Sequence, residues 1–206
     1  MTLRSAPMLA LATGLVLAAC TTTPTVEVTR FHLGQPTPSD TLRVVPAPDQ
    51  VPAGTAVPLE FRSYAAIVAR DLAAHGFRPV ESGPSAYVAM VRIEQTTRTG
   101  PPRQSPFSIG IGGGTGGGGF NGGGGIGGGI TLPVGGARNS DVRVNNLAVR
   151  IVRESDNTAF WEGRAVAQIG AGDAGASLAA AVPKLSAALF KGFPGISGQT
   201  VTERLR

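Results

Sequence analysis

The chain has 206 residues, of which 42% are hydrophobic and 15% are charged, and its formal net charge is +5. This length suits one compact domain with a core. One cysteine and two histidines exclude an internal disulfide and the clustered Cys and His ligands of a zinc site. The basic residues form no run interleaved with aromatic residues, so nucleic acid is not an expected partner.

The first nineteen residues have the form of a secretory signal. Met1 to Arg4 are positively charged, and Ala6 to Ala19 form an uncharged and mostly apolar run. A membrane-spanning helix needs about 20 apolar residues, whereas this run ends at Cys20 and continues into three threonines and a proline. We therefore expect residues 1–19 to be removed during export.

The residues around the cysteine resemble the lipobox of bacterial lipoproteins. Leu17-Ala18-Ala19-Cys20 presents a branched apolar residue and two small residues before the cysteine. The resemblance implies cleavage between Ala19 and Cys20, acyl chains on Cys20 and a short tether over residues 20–25. Thr21 follows in place of an aspartate, which implies the outer membrane, with the domain on its periplasmic face.

The first half of the mature chain predicts two strands and a helix. Residues 26–31 alternate as in a half-buried strand. The segment 33–58 holds six prolines, so only residues 41–45 are predicted to form a strand there, at a sheet edge. In residues 59–75 apolar side chains recur at helical spacing until Gly76, which predicts an amphipathic helix with a glycine stop.

The second half predicts further strands and a second helix. The strands are predicted at residues 77–80, 87–94, 142–154 and 158–169, with a hairpin turn at 155–157 and a helix capped by Ser177. The alternation slips between Val144 and Leu147, which predicts a bulge. Pro183 is expected to bend the helix or to delay its start. Residues 196–206 are predicted to be a flexible tail.

This order of elements predicts an α+β fold. We expect an antiparallel sheet of about four to five strands with two helices packed on one face, in a single domain over residues 26–195. The other face of the sheet is then either solvated or a docking surface.

A glycine-rich insertion at residues 104–137 interrupts the domain and carries no charge. Its G-x-G-x-x-G spacing arises by chance in so biased a segment, and no Gly-Lys-Ser/Thr follows it, so no nucleotide or other cofactor is predicted. The simplest interpretation is a flexible loop that joins two strands.

The flanks of the insertion support a second interpretation, a hairpin arm with one apolar face. Apolar residues occupy alternate positions in the segment that enters the insertion and in the segment that leaves it. Arg98 and Arg143 lie near the base of this arm, with two further arginines. Such an arm suits contact with a membrane surface or a partner. The candidate contact residues are Phe107, Ile109, Ile111, Phe120, Ile130, Leu132, Arg103 and Arg138.

The sequence carries no recognisable catalytic or metal motif. His32 and His75 have no G-x-S-x-G serine to serve. His75, four residues after Asp71 on one helical face, is more typical of a partner of the helix C-terminal dipole than of a base. Trp161, which could stack on a sugar or lipid, is expected to be core. Carboxylates cluster at the predicted hairpin turn, where solvated acidic residues are routine: Glu154, Asp156 and Glu162. We therefore expect no enzyme, cofactor or metal site.

Short motifs in the second half resemble one bacterial lipoprotein family, catalogued as domain of unknown function 4136. They are the strand, acidic turn and Phe-Trp-Glu-Gly of Ala148 to Gly163, then Val182-Pro-Lys-Leu and Lys191-Gly-Phe-Pro. The likeness extends over residues 26–194, except that the proline-rich stretch 33–58 departs from it. The resemblance implies no established activity, so no catalytic residue is carried over.

The leading interpretation is a non-enzymatic envelope lipoprotein, anchored through Cys20, that docks onto an envelope protein or anionic lipid. The first alternative is a periplasmic module that binds a lipid or other amphiphile between sheet and helices. The second is a hydrolase with an unrecognised site. A deep apolar pocket would favour the first alternative, and converging desolvated carboxylates or histidine would favour the second.

Overall fold

The computed structural model describes residues 24–34, 37–52, 54–99, 108–110, 131–133 and 141–205. Its helices are Leu59–Ala73 (α1) and Leu178–Phe190 (α2), and a 3-10 turn lies at Ala174–Ala176. Its strands are Thr25–His32 (β1), Thr41–Pro46 (β2), Arg78–Pro79 (β3), Tyr87–Arg98 (β4), Ser108–Gly110 (β5), Thr131–Pro133 (β6), Val142–Arg153 (β7), Ala159–Gly170 (β8) and Thr200–Arg204 (β9).

Seven strands form one mixed sheet in the order β3-β2-β4-β7-β8-β1-β9. The pairs of β2 with β3 and with β4 are parallel, whereas the other pairs are antiparallel. The α+β class is confirmed, but the predicted antiparallel sheet of four to five strands was wrong. A strand followed by a helix and a second strand beside the first makes a parallel crossover, and β2, α1 and β4 form such a unit.

The apolar faces of the two helices pack on one face of the sheet. In α1 the buried side chains are Phe61, Tyr64, Val68 and Leu72, and Gly76, at φ +99°, follows the last turn. Residues three and four positions apart share one helix face, which explains why these four meet the core. The predicted amphipathic helix with its glycine stop is confirmed.

Helix α2 begins where the sequence predicts. The Ser177 hydroxyl accepts a hydrogen bond from the backbone N–H of Ala180 at 3.3 Å, as an N-cap residue does. Pro183 lies inside the helix, which nonetheless starts at Leu178, so its start is not delayed. Leu185 and Leu189 are fully buried against the sheet.

The space between sheet and helices is filled by apolar side chains. Trp161 and Ile151 from the sheet and Leu72 and Leu185 from the helices are at most 1% exposed and belong to one cluster. Burial of large apolar side chains of this kind is the main favourable term in folding.

The predicted bulge between Val144 and Leu147 was wrong. The pairing of β7 with β4 and β8 runs without a break through this region, and the register shift lies between Ile151 and Val152. The apparent slip arises because Asn145, a polar residue, occupies an inward position and is fully buried.

The C-terminal residues, predicted to be a flexible tail, include strand β9. This strand pairs with β1, and the backbone N–H of Leu205 donates to the carbonyl of Pro24 at 2.9 Å. Leu205 is only 5% exposed. The prediction failed because the partner strand β1 supplies the backbone hydrogen bonds that hold this polar segment.

Candidate docking surface

The side of the sheet away from the helices is an open face. Alternate residues of a strand point to opposite sides, so the outward residues of β4, β7, β8 and β1 meet in rows across the strands. The strand register gives two such rows: Met90, Arg150, Glu162 and Phe31, and next to it Arg92, Ala148, Arg164 and Thr29.

A cleft of about 640 Å³ lies over these two rows. Ala148 has a small side chain between the longer arginines of its row, which leaves room in the middle of the face. Ala47 and Pro48, in the loop after β2, also line the cleft. Phe31 lines it too and is 54% exposed, so a large apolar ring is available at the surface.

The arginines of the cleft differ in their partners. Arg92 pairs with Asp49 at 2.7 Å, and Arg150 pairs with Glu162 at 3.1 Å. Arg164 donates through Nε to the side-chain oxygen of Asn146 at 3.1 Å. Within the described residues it has no carboxylate at ion-pair distance. Arg164 can therefore meet an acidic group brought by a ligand or partner.

A second groove, of about 730 Å³, lies between α1 and strand β2. It is lined by apolar residues that include Val44, Val57, Phe61 and Ala65. The groove opens at the margin of the filled space between sheet and helices, since Phe61 belongs to the core cluster and Val44, Val57 and Ala65 pack against it.

The two histidines contact structural groups in the segment that follows α2. His32 accepts the backbone N–H of Gly34 at Nδ1, 3.0 Å away, and its Nε2 lies 3.1 Å from the carbonyl oxygen of Gly195. The ring of His75 packs on that of Phe193, with 5.3 Å between the ring centres. Asp71, on the last turns of α1, accepts a hydrogen bond from the Ser186 hydroxyl at 2.6 Å.

The carboxylates near the hairpin turn each have their own partners. Hydrogen bonds from the hydroxyl and backbone N–H of Ser85, helped by Arg43, hold the pKa of Glu154 below its ordinary value. The backbone N–H of Thr158 and the Arg153 guanidinium lower the pKa of Asp156. Both groups are therefore stabilised as carboxylates, which does not suit a general acid.

Trp161 lies in the core, as predicted. It is 1% exposed, stacks on Phe190 with 5.6 Å between ring centres, and donates its Nε1–H to the carbonyl of Pro194 at 3.0 Å. It is therefore not available to stack on a ligand.

The glycine-rich insertion is described only at six residues. Strands β5 and β6 pair antiparallel with Ile109 opposite Leu132, which is the pairing that the hairpin arm predicts. The cleavage residue Ala19 and the lipidation residue Cys20 lie outside the described residues. So do the other candidate contact residues, which are Phe107, Ile111, Phe120, Ile130, Arg103 and Arg138.

The sequence did not indicate the three buried polar residues of the described ranges, of which Ser186 is paired with Asp71 and the other two are Arg30 and Asn145. Arg30, 5% exposed, donates to the carbonyls of Ala188, Leu189 and Lys191 and so caps the C-terminus of α2. Burial lowers the pKa of its guanidinium, and the Glu203 carboxylate partly opposes this. The inward position of Arg30 in the alternation of β1 was the one signal available.

Asn145 is the second such residue. Its side-chain oxygen accepts from Gln95 at 2.6 Å, and Gln95 also donates to the carbonyl of Ala176 at 2.9 Å. This polar group fixes the 3-10 turn before α2 to the sheet.

Within the described ranges, no helix is long and apolar enough to cross a membrane. The same residues contain no group of three or more His, Cys, Asp or Glu side chains placed to hold a metal ion.

The sequence profile of DUF4136, a domain of unknown function, matches residues 47–195. The chain belongs to the DUF4136 family. The family that the short motifs indicated is thereby confirmed. The DUF4136 match begins directly after β2 and ends just beyond α2, so β1 and β2 precede it and β9 follows it. An uncharacterized protein of Zymomonas mobilis subsp. mobilis is 31% identical to this chain, covering 85% of the chain and 78% of its own length.

Solved structures similar to this DUF4136 chain include two PelC dodecamers from Paraburkholderia phytofirmans. One is 14% identical with a TM-score of 0.44 and covers 84% of this chain and 99% of its own. The other is 12% identical with a TM-score of 0.42 and covers 80% and 94%. A PDZ domain protein from Parabacteroides distasonis is 9% identical with a TM-score of 0.42, covering 88% of this chain and 39% of its own.

Proposed function

We propose that this DUF4136 protein is a non-enzymatic envelope lipoprotein whose domain binds a partner protein on the open face of its sheet. Acyl chains on Cys20 hold it at the periplasmic face of the outer membrane. The observation that carries the binding role is the cleft over the open face, where the exposed ring of Phe31 lies in the row next to Arg164.

The contacts of the titratable residues support a binding role over a chemical one. The ring nitrogens of His32 face backbone groups, and Glu154 and Asp156 are held as carboxylates by local hydrogen bonds. These contacts join loops to strands. They therefore serve the fold, and a proton-transfer site would need a different arrangement.

The chemistry of the cleft indicates what the partner presents. Protein interfaces are centred on buried aromatic and arginine side chains that fill pockets on the partner. Phe31 and Met90 offer apolar contact, and Arg164 offers a guanidinium. The cleft suits a protein segment with an apolar side chain beside an aspartate or glutamate, since arginine binds carboxylates through two parallel hydrogen bonds.

The anchor is tested by membrane fractionation of a Cys20→Ala variant. We expect the native protein in the outer-membrane fraction and the variant as unprocessed or soluble protein, because without the thiol no diacylglycerol is attached. A Thr22→Ala variant keeps the cysteine and is the matched control. Unchanged fractionation of Cys20→Ala would refute the anchor.

The binding face is tested by placing a photo-crosslinking amino acid at Phe31 in living cells. A discrete crosslinked product is expected at this position and not at Lys184, which is exposed on α2 at the opposite side of the sheet. Arg164→Glu should remove the product, because it places a like charge before the partner's carboxylate.

Arg62→Glu makes the same change of charge at an exposed residue of α1. It should leave the crosslinked product at Phe31 in place. A product that survives Arg164→Glu, or one equally strong from Lys184, would count against the open face.

A further inference from the structure

The N-terminal tether and the glycine-rich insertion leave the sheet at the same end. Strand β1 begins at Thr25, which lies opposite Arg204 of β9. Strand β4 ends at Arg98 opposite Val142, the first residue of β7, and Val142 lies opposite Gly170, the last residue of β8. We call this the basal end of the sheet.

These positions are close in space. Val26 lies opposite Ala167, so Thr25 lies at the level of Gln168 in β8. This is about two residues, or roughly 7 Å, from Gly170 along the strand. Strands β1 and β4 are three positions apart in the sheet, which separates them by about 14 Å. The tether and both ends of the insertion therefore share one small area.

The tether that joins this area to Cys20 is short. The carbonyl of Pro24 accepts the backbone N–H of Leu205 at 2.9 Å, so the chain is held to the sheet from Pro24 onward. Four residues of extended chain reach at most about 14 Å. The inference rests on the proposed lipid anchor at Cys20, which would keep the basal end within that distance of the bilayer.

The charges differ between the two ends of the sheet. At the basal end the described charged residues are Arg98, Arg143, Arg204, Asp141 and Asp173. At the far end of the sheet the described charged residues are Arg43, Arg78, Arg153, Asp40, Glu81, Glu154 and Asp156. Among these described residues arginines exceed aspartates by three to two at the basal end, whereas carboxylates exceed arginines by four to three at the far end. Glu203, next to Arg204, pairs with Lys191.

Two of the basal arginines are exposed on the same side of the sheet. Arg98 and Arg204 are both exposed, and their positions in the alternation place them on the open-face side of β4 and β9. Within the described part of the chain, Arg98, Arg143 and Arg204 have no carboxylate at ion-pair distance. Basic side chains this near a bilayer are attracted by anionic headgroups within about one Debye length of 8 to 10 Å.

We infer that the basal end is a docking surface for anionic phospholipid headgroups, contacted by Arg98, Arg143 and Arg204. The strands then rise from the membrane, and the far end stands about 40 Å above it, since β7 has 12 residues. Phe31 lies opposite Glu162, eight residues along β8 from Gly170, so the cleft faces the periplasm roughly 27 Å above the bilayer.

The test uses the full lipidated protein, purified in detergent and reconstituted into vesicles of phosphatidylcholine with or without phosphatidylglycerol. A cysteine is introduced at exposed Thr97, near the basal end, or at exposed Ser155, at the far end, and labelled with a fluorescent donor. Energy transfer to an acceptor lipid reports the height of each label. We expect stronger transfer from Thr97→Cys than from Ser155→Cys with phosphatidylglycerol, and a smaller difference at high salt.

The arginines are tested by charge reversal. The double variant with Arg98→Glu and Arg204→Glu should show no difference in energy transfer between the two labels. The double variant with Arg78→Glu and Arg153→Glu makes the same change of net charge at the far end and should keep that difference. Equal transfer from both labels with phosphatidylglycerol, or an unchanged difference after reversal of Arg98 and Arg204, would overturn the inference.

Mass spectrometry of the N-terminal peptide separates this failure from failure of the anchor. Acyl chains on Cys20 together with equal transfer would overturn only the docking surface. A peptide without acyl chains would overturn the anchor and, with it, the docking surface.

Discussion

At the scale of single residues, close packing around the one tryptophan constrains β8 most strongly. Gly163 lies two residues after Trp161 on the same inward side of the strand, and an added Cβ would overlap the indole ring. The ring cannot easily move away, because its Nε1–H is bound to Pro194 and its face is stacked on Phe190. Only glycine leaves the space that the indole occupies.

Gly163→Ala is therefore expected to lower the free energy of unfolding by about 1 to 3 kcal/mol, the usual cost of overpacking a filled core. Urea denaturation followed by the fluorescence of Trp161, the only tryptophan in the chain, measures the change. Gly172→Ala is the matched control, since nothing lies within 4 Å of an added Cβ there. Equal stability of the two variants would show that the indole can shift at little cost.

At the scale of elements, strands whose own residues alternate were predictable, and strands defined by a partner were not. β4, β7 and β8 carry apolar residues at most of their inward positions, which are every second residue, so their pattern stands out in the sequence. β3 is a short strand within the predicted residues 77–80. β9 was not predicted, because it is largely polar and only its hydrogen bonds to β1 make it a strand. Local patterns do not contain that information.

The candidate site was less predictable than the fold for the same reason. The open face was expected to be either solvated or a docking surface, and the cleft depends on which residues of four strands lie opposite one another. Arg164, Ala148 and Arg92 share a row only because of the register of β4, β7 and β8. Register is fixed by tertiary packing and turns, and a one-residue slip would move every one of these side chains to the other face.

One carboxylate joins three elements at the far end of the sheet. Glu154, directly after β7, accepts the N–H and the hydroxyl of Ser85 at 2.7 and 2.8 Å and pairs with Arg43 of β2. These contacts hold the pKa of Glu154 below its ordinary value. A lowered pKa in the folded state means that the carboxylate stabilises the fold above its unfolded pKa, and that this contribution is lost as the pH falls through the folded pKa.

Glu154→Gln is accordingly expected to lower the melting temperature near neutral pH, where the native carboxylate is charged. The difference from the native protein should shrink as the pH falls below about 4, where the native residue becomes protonated. Circular dichroism melting curves across this range measure it. Glu27→Gln, the same change on an exposed residue of β1, is the control. A difference that stays constant with pH would contradict the assigned role of the carboxylate.

At the scale of the whole molecule, the described part of the insertion is separate from the sheet that holds the core. Strands β5 and β6 form a two-stranded sheet of their own, and neither pairs with any of the seven strands of the main sheet. The insertion connects β4 to β7, which are direct neighbours, so a much shorter hairpin loop can join them. The domain and the insertion can therefore be altered independently.

Deletion of residues 106–134 should leave the domain folded and weaken its association with anionic vesicles. Shortening the loop about threefold changes the entropy of loop closure by about 1 kcal/mol or less in free energy, in favour of folding. The melting temperature and far-ultraviolet circular dichroism check the fold, and sedimentation with phosphatidylglycerol vesicles, using Cys20→Ala to remove the anchor, checks association. Replacement of the same residues by a Gly-Ser linker of equal length separates loss of the apolar flanks from loss of length. If both variants bind vesicles as well as the parent protein, the insertion has no part in membrane contact, and any such contact must come from the basal end of the sheet.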